Sequence, residues 1–239
     1  MTKAARYGIK IYVITDARTA YVLPVLIYTG KSTYTTTGDV QENPLKTVQI
    51  VNKLVEPFIN THRTIYVDWF YTSIDLMKSL ADKNLYVTGT VLANRIPLNI
   101  RIAKSSPQFR AMKRGDAVKS KYIFHKTDGT ESEVGLVGWK DRNMVYCLSN
   151  DTNNFEFDEC CRRGDGGIIR LPRPVSIANY NKYMGGVDLA DMVRLHCSST
   201  IMGQNRWWLK LFLICSTLGH QTRGYSTMSS YESEQKNRE

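Results

Sequence analysis

Residues 64–92, TIYVDWFYTSIDLMKSLADKNLYVTGTVL, decide the fold class of this 239-residue chain. The run opens with a short β-rich stretch, residues 64–67, that ends at Asp68. A capping-box pattern at residues 72–75 then precedes apolar residues at helical spacing. A second β-rich stretch follows over residues 85–92. This alternation of strand, helix and strand predicts an α/β layer.

Toward the N-terminus, the sequence predicts two more strands and a helix. Residues 9–14 are β-rich and are followed by Asp16, and residues 21–28 form a second β-rich run. A helix is expected to start near Asn43-Pro44, because a cap residue followed by proline is typical of a helix N-terminus. Pro57 should kink or end that helix.

The middle of the chain, residues 96–174, is basic at first and then has the pattern of β-hairpins. Asp128-Gly129 predicts a tight turn between two β-rich runs. Residues 151–167 are polar and glycine-rich, which favours a loop. We therefore expect a mostly β insertion in the α/β core.

The last part of the chain is predicted to be helical. Residues 175–192 have helical character, and a long apolar helix is expected from residue 206. The whole chain then divides into a first part of the core, a basic β-rich insertion, a C-terminal helical part of the core and a loose polar tail, with predicted bounds of 1–95, 96–174, 175–225 and 226–239.

Charge suggests a polyanionic partner. The chain carries a net charge of +10, and residues 95–126 hold nine basic residues against one acidic residue, Asp116. A local charge of this size suits DNA. The alternative from charge alone is a solvated basic face.

Cysteine usage predicts reduced thiols rather than a disulfide framework or a zinc site. The count is odd, and no pair has Cys-x-x-Cys spacing. The five residues are Cys147, Cys160, Cys161, Cys197 and Cys215.

Four aspartates are candidates for metal chemistry. Asp16 and Asp68 each follow a short β-rich run, where functional groups of α/β sheets gather, and Asp188 and Asp191 share one helical face. Clustered carboxylates need a cation, and hard oxygen ligands suit Mg²⁺ or Mn²⁺. The alternatives are that Asp16 is a turn residue and that the helical pair complements a helix N-terminus.

Three stretches of the chain resemble the acidic motifs of piggyBac-type transposases. Residues 7–31 are similar to the first motif, residues 67–95 to the second and residues 180–191 to the third. The order along the chain is the same, and the block MGGVDLAD at residues 184–191 is highly specific.

The resemblance implies a DDE transposase domain with an RNase H-like (retroviral integrase-like) α/β core, a mostly β insertion and C-terminal helices. It implies that Asp16, Asp68 and Asp188 are catalytic and bind two Mg²⁺ or Mn²⁺ ions, with Asp191 as a further acidic ligand. The implied reaction is metal-dependent DNA strand cleavage and transfer, which is DNA transposition.

The resemblance also implies partners and a location. We expect DNA as partner, with transposon ends and a TTAA target, together with a possible homodimer, no membrane and a nuclear location. The basic stretch would contact phosphates. The predicted DNA-binding residues are Arg95, Arg101, Lys104, Lys113, Arg114, Lys119 and Lys121.

Some positions depart from the family pattern, and they leave a second function open. Trp69 stands where the family usually has Asn, and Met192 where Gln is common. The Asn expected in the last helix is not evident near residues 220–223. The N-terminal DNA-binding region and the cysteine-rich finger of the family are also not evident. Whether the chain is an enzyme is therefore open, and the alternative is an inactive, domesticated protein that binds DNA or a partner.

Overall fold

A computed structural model describes most of the chain, with side chains as far as residue 192. The described ranges are 10–28, 46–96, 101–103, 105–151, 156–164 and 167–196. They belong to two compact units, one drawn from Met1–Val40 and Gly185–Glu239 and the other from Gln41–Met184. Among the described residues, no helix is both long and apolar enough to cross a membrane.

Nine strands and five α-helices are present in the described part of the chain. In chain order they are β1 (Ile11–Thr15), β2 (Val22–Ile27), α1 (Lys46–Val55), β3 (Thr64–Val67), α2 (Ile74–Ala81), β4 (Tyr86–Val91), α3 (Pro107–Ala111), β5 (Ala117–His125), β6 (Glu131–Lys140), β7 (Met144–Ser149), β8 (Phe157–Gly164), β9 (Gly167–Pro174), α4 (Val175–Tyr183) and α5 (Gly186–His196).

The first unit pairs a β-hairpin with one helix. Strands β1 and β2 are antiparallel, with Tyr12 opposite Leu26. Helix α5 contributes Ala190 to a small core with Ala20 and Val22 of the hairpin. The two strands predicted near residues 9–14 and 21–28 are confirmed.

The second unit contains a five-stranded mixed sheet in the order β3-β4-β7-β6-β5. Strands β3 and β4 are parallel, and the other neighbours are antiparallel. The strand–helix–strand prediction for residues 64–92 is confirmed, and the mixed α/β class with it. The predicted boundary between residues 95 and 96 lies inside this sheet, because β7, β6 and β5 extend it from β4. The RNase H-like assignment of the core stays a prediction.

Helix α1 has the predicted apolar stripe. Its buried residues include Val48, Val51 and Leu54, which recur at helical spacing. The helix ends at Val55, and a 3₁₀ turn containing Pro57 follows directly. Proline therefore ends the helix, as predicted, because it cannot continue the hydrogen-bond ladder. The predicted start at Asn43-Pro44 lies outside the described residues.

Helix α2 begins one residue later than the predicted capping box. The cap is Ser73, whose Oγ accepts a hydrogen bond from the backbone N–H of Leu76 at 3.1 Å. Thr72 is buried, and its hydroxyl donates instead to the carbonyl oxygen of Asp68 at 3.0 Å. Thr72 thus stabilises the turn after β3, which leaves the capping role to its neighbour.

The turn at Asp128-Gly129 is confirmed, and the predicted loop at residues 151–167 is wrong in part. Gly129 has φ +81°, a conformation that glycine adopts without strain, and it joins β5 to β6. Residues 157–164 form β8, which pairs with β9 along its length. Among residues 157–163 of β8, Cys160 alone is buried, so this part of the strand lacks an apolar pattern.

The pair of strands β8 and β9 is attached to the sheet through Trp139. The Trp139 side chain is fully buried in a cluster with Cys160, Leu171 and Ile177. Its indole N–H donates to the carbonyl oxygen of Pro172 at 2.9 Å. A large aromatic ring thus fills the space between β6 and β9, and its one polar atom is satisfied.

Three cysteines lie in the described residues, and all three are free thiols. Cys147 and Cys160 are buried, and Cys161 is exposed. Burial raises the pKa of the Cys147 thiol to about 12, so this residue is an inert core group. Cys197 and Cys215 lie outside the described residues, as do the predicted helix from residue 206 and the predicted tail.

We predict that Trp139→Ala destabilises the protein by about 3–5 kcal/mol, because it leaves a cavity and an unpaired Pro172 carbonyl. Urea denaturation followed by circular dichroism measures the loss. Trp69→Ala is the matched control, since Trp69 is 41% exposed and should change stability little. Equal losses in the two variants would contradict the role given to Trp139.

Candidate functional site

Asp16 lies at the predicted position, directly after β1. Its backbone N–H donates to the Tyr21 carbonyl at 2.8 Å, and its carbonyl accepts from the Ala20 N–H at 2.9 Å. These bonds close a tight turn between β1 and β2. Asp16 therefore directly follows the last residue of β1 and is the first residue of the turn.

The Asp16 carboxylate is held by the same turn. Its Oδ1 accepts hydrogen bonds from the Arg18 N–H at 2.9 Å, the Thr19 N–H at 2.9 Å and the Thr19 hydroxyl at 3.0 Å. Partial burial alone would raise the pKa of Asp16, but the bonds from Thr19 and Arg18 outweigh it and lower the pKa. The described residues donate no hydrogen bond to Oδ2, so one oxygen of an ionised carboxylate remains available to a ligand.

Helix α5 brings Asp188 to the same part of the first unit. A Cβ atom added to Gly186 would lie 2.6 Å from the Thr15 Oγ1 and 3.3 Å from the Asp16 carbonyl oxygen. The helix backbone therefore approaches the end of β1 so closely that only glycine fits. Asp188 is exposed in the first turn of this helix, two residues after that contact.

Asp68 belongs to the second unit and follows β3, as predicted. The Asp68 side chain is exposed, and its Oδ1 accepts a hydrogen bond from the Trp69 N–H at 2.6 Å. Its carbonyl oxygen accepts from the N–H groups of Tyr71 and Thr72 at 3.0 and 3.1 Å. Gly89 of the neighbouring strand leaves the space that the Thr72 hydroxyl occupies. The backbone around Asp68 is thus fixed, while Oδ2 receives no hydrogen bond from the described residues.

Tyr180 is a neighbour of Asp68 that the sequence reasoning gave no role. Its hydroxyl accepts a hydrogen bond from Thr90 at 3.4 Å. Burial is the largest cause that raises the pKa of Tyr180, and the negative charge of Asp68 adds to it. Helix α4 therefore places a neutral hydroxyl near the second acidic residue. Tyr180 is the first residue of the third motif, but nothing in the spacing of that motif indicates that Tyr180 lies near Asp68.

The predicted acidic residues are thus distributed over both units. Asp16 and Asp188 belong to the first unit, Asp191 is exposed one helical turn after Asp188, and Asp68 lies in the second unit. Within each unit, the described residues include no group of three or more His, Cys, Asp or Glu side chains close enough to hold a metal ion. A site made by all three catalytic candidates stays a prediction.

Of the predicted DNA-binding residues, five are exposed: Arg95, Arg101, Lys113, Lys119 and Lys121. Arg114 forms an ion pair with Asp141 at 2.6 Å, and Lys121 forms one with Glu133 at 3.0 Å. Lys104 lies outside the described residues. These ion pairs make Arg114 and Lys121 weaker candidates for phosphate contact.

A family model described as Transposase IS4 matches residues 1–220. The chain belongs to this transposase family. The predicted likeness to a piggyBac-type DDE domain is confirmed by this match together with a structural one. The structural match is a cryo-EM structure of a piggyBac transposase synaptic complex with hairpin DNA, at a TM-score of 0.64 and 24% identity. It covers 96% of this chain, which spans 43% of that transposase.

Two departures of this transposase domain from the family pattern lie at exposed positions. Trp69 is 41% exposed next to Asp68, and Met192 is 57% exposed next to Asp191. Neither residue is part of a described hydrophobic core. Packing therefore does not account for either substitution.

We predict that Gly186→Ala destabilises the domain by about 1–3 kcal/mol, because the added methyl group would collide with Thr15 and push α5 away from β1. Thermal unfolding followed by circular dichroism measures the effect. Gly185→Ala is the matched control, since an added Cβ at Gly185 meets no atom within 4 Å. Equal melting temperatures for the two variants would contradict the claim that the close approach of α5 to β1 stabilises this unit.

Proposed function

We propose that this chain is the DNA strand cleavage and transfer core of a DDE transposase, with Asp16, Asp68 and Asp188 as its catalytic residues. The observation that supports this most is the contact of Gly186 with Thr15 in a member of a transposase family, because it packs α5, the helix that carries Asp188, against the end of β1, which Asp16 follows. Asp191 is proposed as an additional acidic ligand on the same helix.

The donor set suits a hard divalent cation. Each of Asp16 and Asp68 has one carboxylate oxygen that no described residue uses, and Asp188 is exposed. Carboxylate oxygens with room for water are the ligands that Mg²⁺ and Mn²⁺ prefer. When bound, two such ions would stabilise the attacking and leaving oxygens of a phosphodiester.

The residues of the chain contribute orientation and charge. The three hydrogen bonds to Oδ1 of Asp16 fix its carboxylate and keep it ionised. The turn after β3 fixes the backbone of Asp68, and the packing of Gly186 fixes the backbone of the helix turn that carries Asp188. Ligands that are positioned before binding lose less entropy when a cation arrives.

DNA is the proposed partner, and transposon ends and a TTAA target are the proposed sites on it. The structurally similar transposase was solved with hairpin DNA, and exposed basic residues follow β4 in this chain. A nuclear location and a homodimer are proposed as well, because the family resemblance implies both.

A second candidate function is an inactive, domesticated protein that binds DNA or another partner. Trp69 favours it, because an indole stands beside Asp68 where the family usually has an amide. In this case the basic residues would still bind DNA or another partner, while the acidic residues would not bind a metal ion.

We predict that wild-type protein binds Mn²⁺ and that each of Asp16→Asn, Asp68→Asn and Asp188→Asn weakens binding by at least about ten-fold, because each replaces an anionic ligand with a neutral amide. Isothermal titration calorimetry measures the affinity. Asp128→Asn is the matched control, since Asp128 lies in the turn between β5 and β6.

Two results of this titration would contradict the proposed catalytic core. One is no Mn²⁺ binding by the wild-type protein. The other is an affinity that all three site variants leave unchanged. Either result, together with retained DNA binding, would favour the inactive alternative.

We also predict that the affinity for duplex DNA falls linearly with salt on logarithmic axes, and that Arg101→Ala reduces the slope by about 0.9, as for one lost phosphate contact. Fluorescence anisotropy over a salt series measures the slope. Arg142→Ala is the control, because Arg142 is exposed but lies outside the basic stretch. A slope that Arg101→Ala leaves unchanged would remove this residue from the interface.

A further inference from the structure

An exposed pair of aromatic side chains directly follows Asp68. Trp69 is 41% exposed and Phe70 is 45% exposed. Val67, two residues before Trp69, and Thr72, two residues after Phe70, are buried, so a hydrophobic core lies close to the pair. Adjacent large aromatic rings left in solvent are uncommon in a stable monomer and indicate a binding surface.

The pair has a defined geometry. The Trp69 and Phe70 rings meet edge to face, with centroids 6.1 Å apart. Arg95 donates from Nη1 to the Trp69 carbonyl at 2.8 Å, and its guanidinium lies over the indole, 5.8 Å from the ring centroid. The Trp69 backbone is also held by its bond to the Asp68 carboxylate. The indole is thus anchored from two sides while much of its surface remains in solvent.

The chemistry of this surface fits one class of ligand. A base has a flat π-face that stacks on an indole or phenyl ring, and a guanidinium beside the ring can contact the adjoining phosphate. Inside a duplex both faces of each base are already stacked on neighbours, so only a base outside such a stack can take this position. A purely apolar partner would leave Arg95 without an anionic group to contact.

We propose that Trp69 and Phe70, with Arg95, form a stacking platform for an unpaired base of the DNA strand next to Asp68. This inference rests on the proposed function, because it assumes that DNA reaches Asp68. It goes further by assigning a specificity for locally unpaired DNA to a residue at which this chain departs from its family. Trp69 acts here as a binding residue and takes no part in the chemistry at Asp68.

A second exposed aromatic in the same unit provides the control. Tyr122 is 45% exposed on β5, and Lys78 Nζ lies 5.0 Å from the centroid of its ring. It therefore has similar exposure and a similar cation contact. However, β5 and β3 are the two opposite edges of the five-stranded sheet, so Tyr122 is remote from the end of β3.

The test compares single-stranded with duplex DNA. Fluorescence anisotropy with labelled oligothymidylate and with a blunt duplex of equal length, both in EDTA to prevent cleavage, gives the two affinities. Trp69→Ala should weaken single-strand binding by about ten-fold or more and change duplex binding little. Trp69→Phe should retain most of the single-strand affinity, and Tyr122→Ala should match the wild type.

Several outcomes would overturn the inference. If Trp69→Ala still unfolds cooperatively and binds single-stranded DNA as tightly as the wild type, the stacking platform is disproved. The proposed function is not affected by that result. Equal losses on both DNAs would also disprove the platform, because they indicate a phosphate contact. A change of oligomeric state without a change in single-strand affinity would assign the surface to a second copy of the chain. If the wild-type protein binds neither DNA, both the stacking platform and the proposed function are contradicted.

Discussion

The close approach of helix α5 to the end of strand β1 is the contact on which the first unit depends. Gly186 lies against Thr15 with no room for a side chain, and Ala190 packs one turn later onto Ala20 and Val22. Because both positions have small residues, the helix backbone can pack closely against the hairpin. The consequence reaches the acidic residues, because the helix turn that contacts Thr15 also carries Asp188, two residues after Gly186.

Asp16 shows that two interpretations of one residue can both hold. The sequence allowed it to be either a turn residue or a metal ligand. Its Oδ1 accepts three hydrogen bonds from the turn, which supports the first interpretation. Those bonds also favour the ionised carboxylate and orient its other oxygen, which is what the second requires. A turn that fixes a carboxylate is therefore compatible with a site that uses it.

Much of the fold could be predicted, because in most elements the spacing of apolar residues agrees with the glycine, proline and cap residues that mark the ends of the element. Helix α1 has an apolar stripe and ends before Pro57, and the turn at Gly129 needs a positive φ. Strand β8 could not be predicted, because a polar run stays a strand only through its pairing with β9. The place of Asp68 at the end of β3 followed from local pattern. By contrast, Tyr180, whose pKa is raised in part by the charge of Asp68, comes from a helix more than a hundred residues later, and no local rule indicates that the two lie near each other.

The order of strands in the mixed sheet has a consequence for how the chain folds during synthesis. Strand β4 pairs on one side with β3, which precedes it closely, and on the other with β7, and the Thr88 and Ser149 hydroxyls that join them are 61 residues apart. Until β7 leaves the ribosome, one edge of β4 has open backbone groups beside an apolar face. Long-range closure of this kind is slow and exposes a segment to aggregation. A nascent chain of this domain is therefore most vulnerable between the emergence of β4 and that of β7, and it would benefit from a chaperone during that interval.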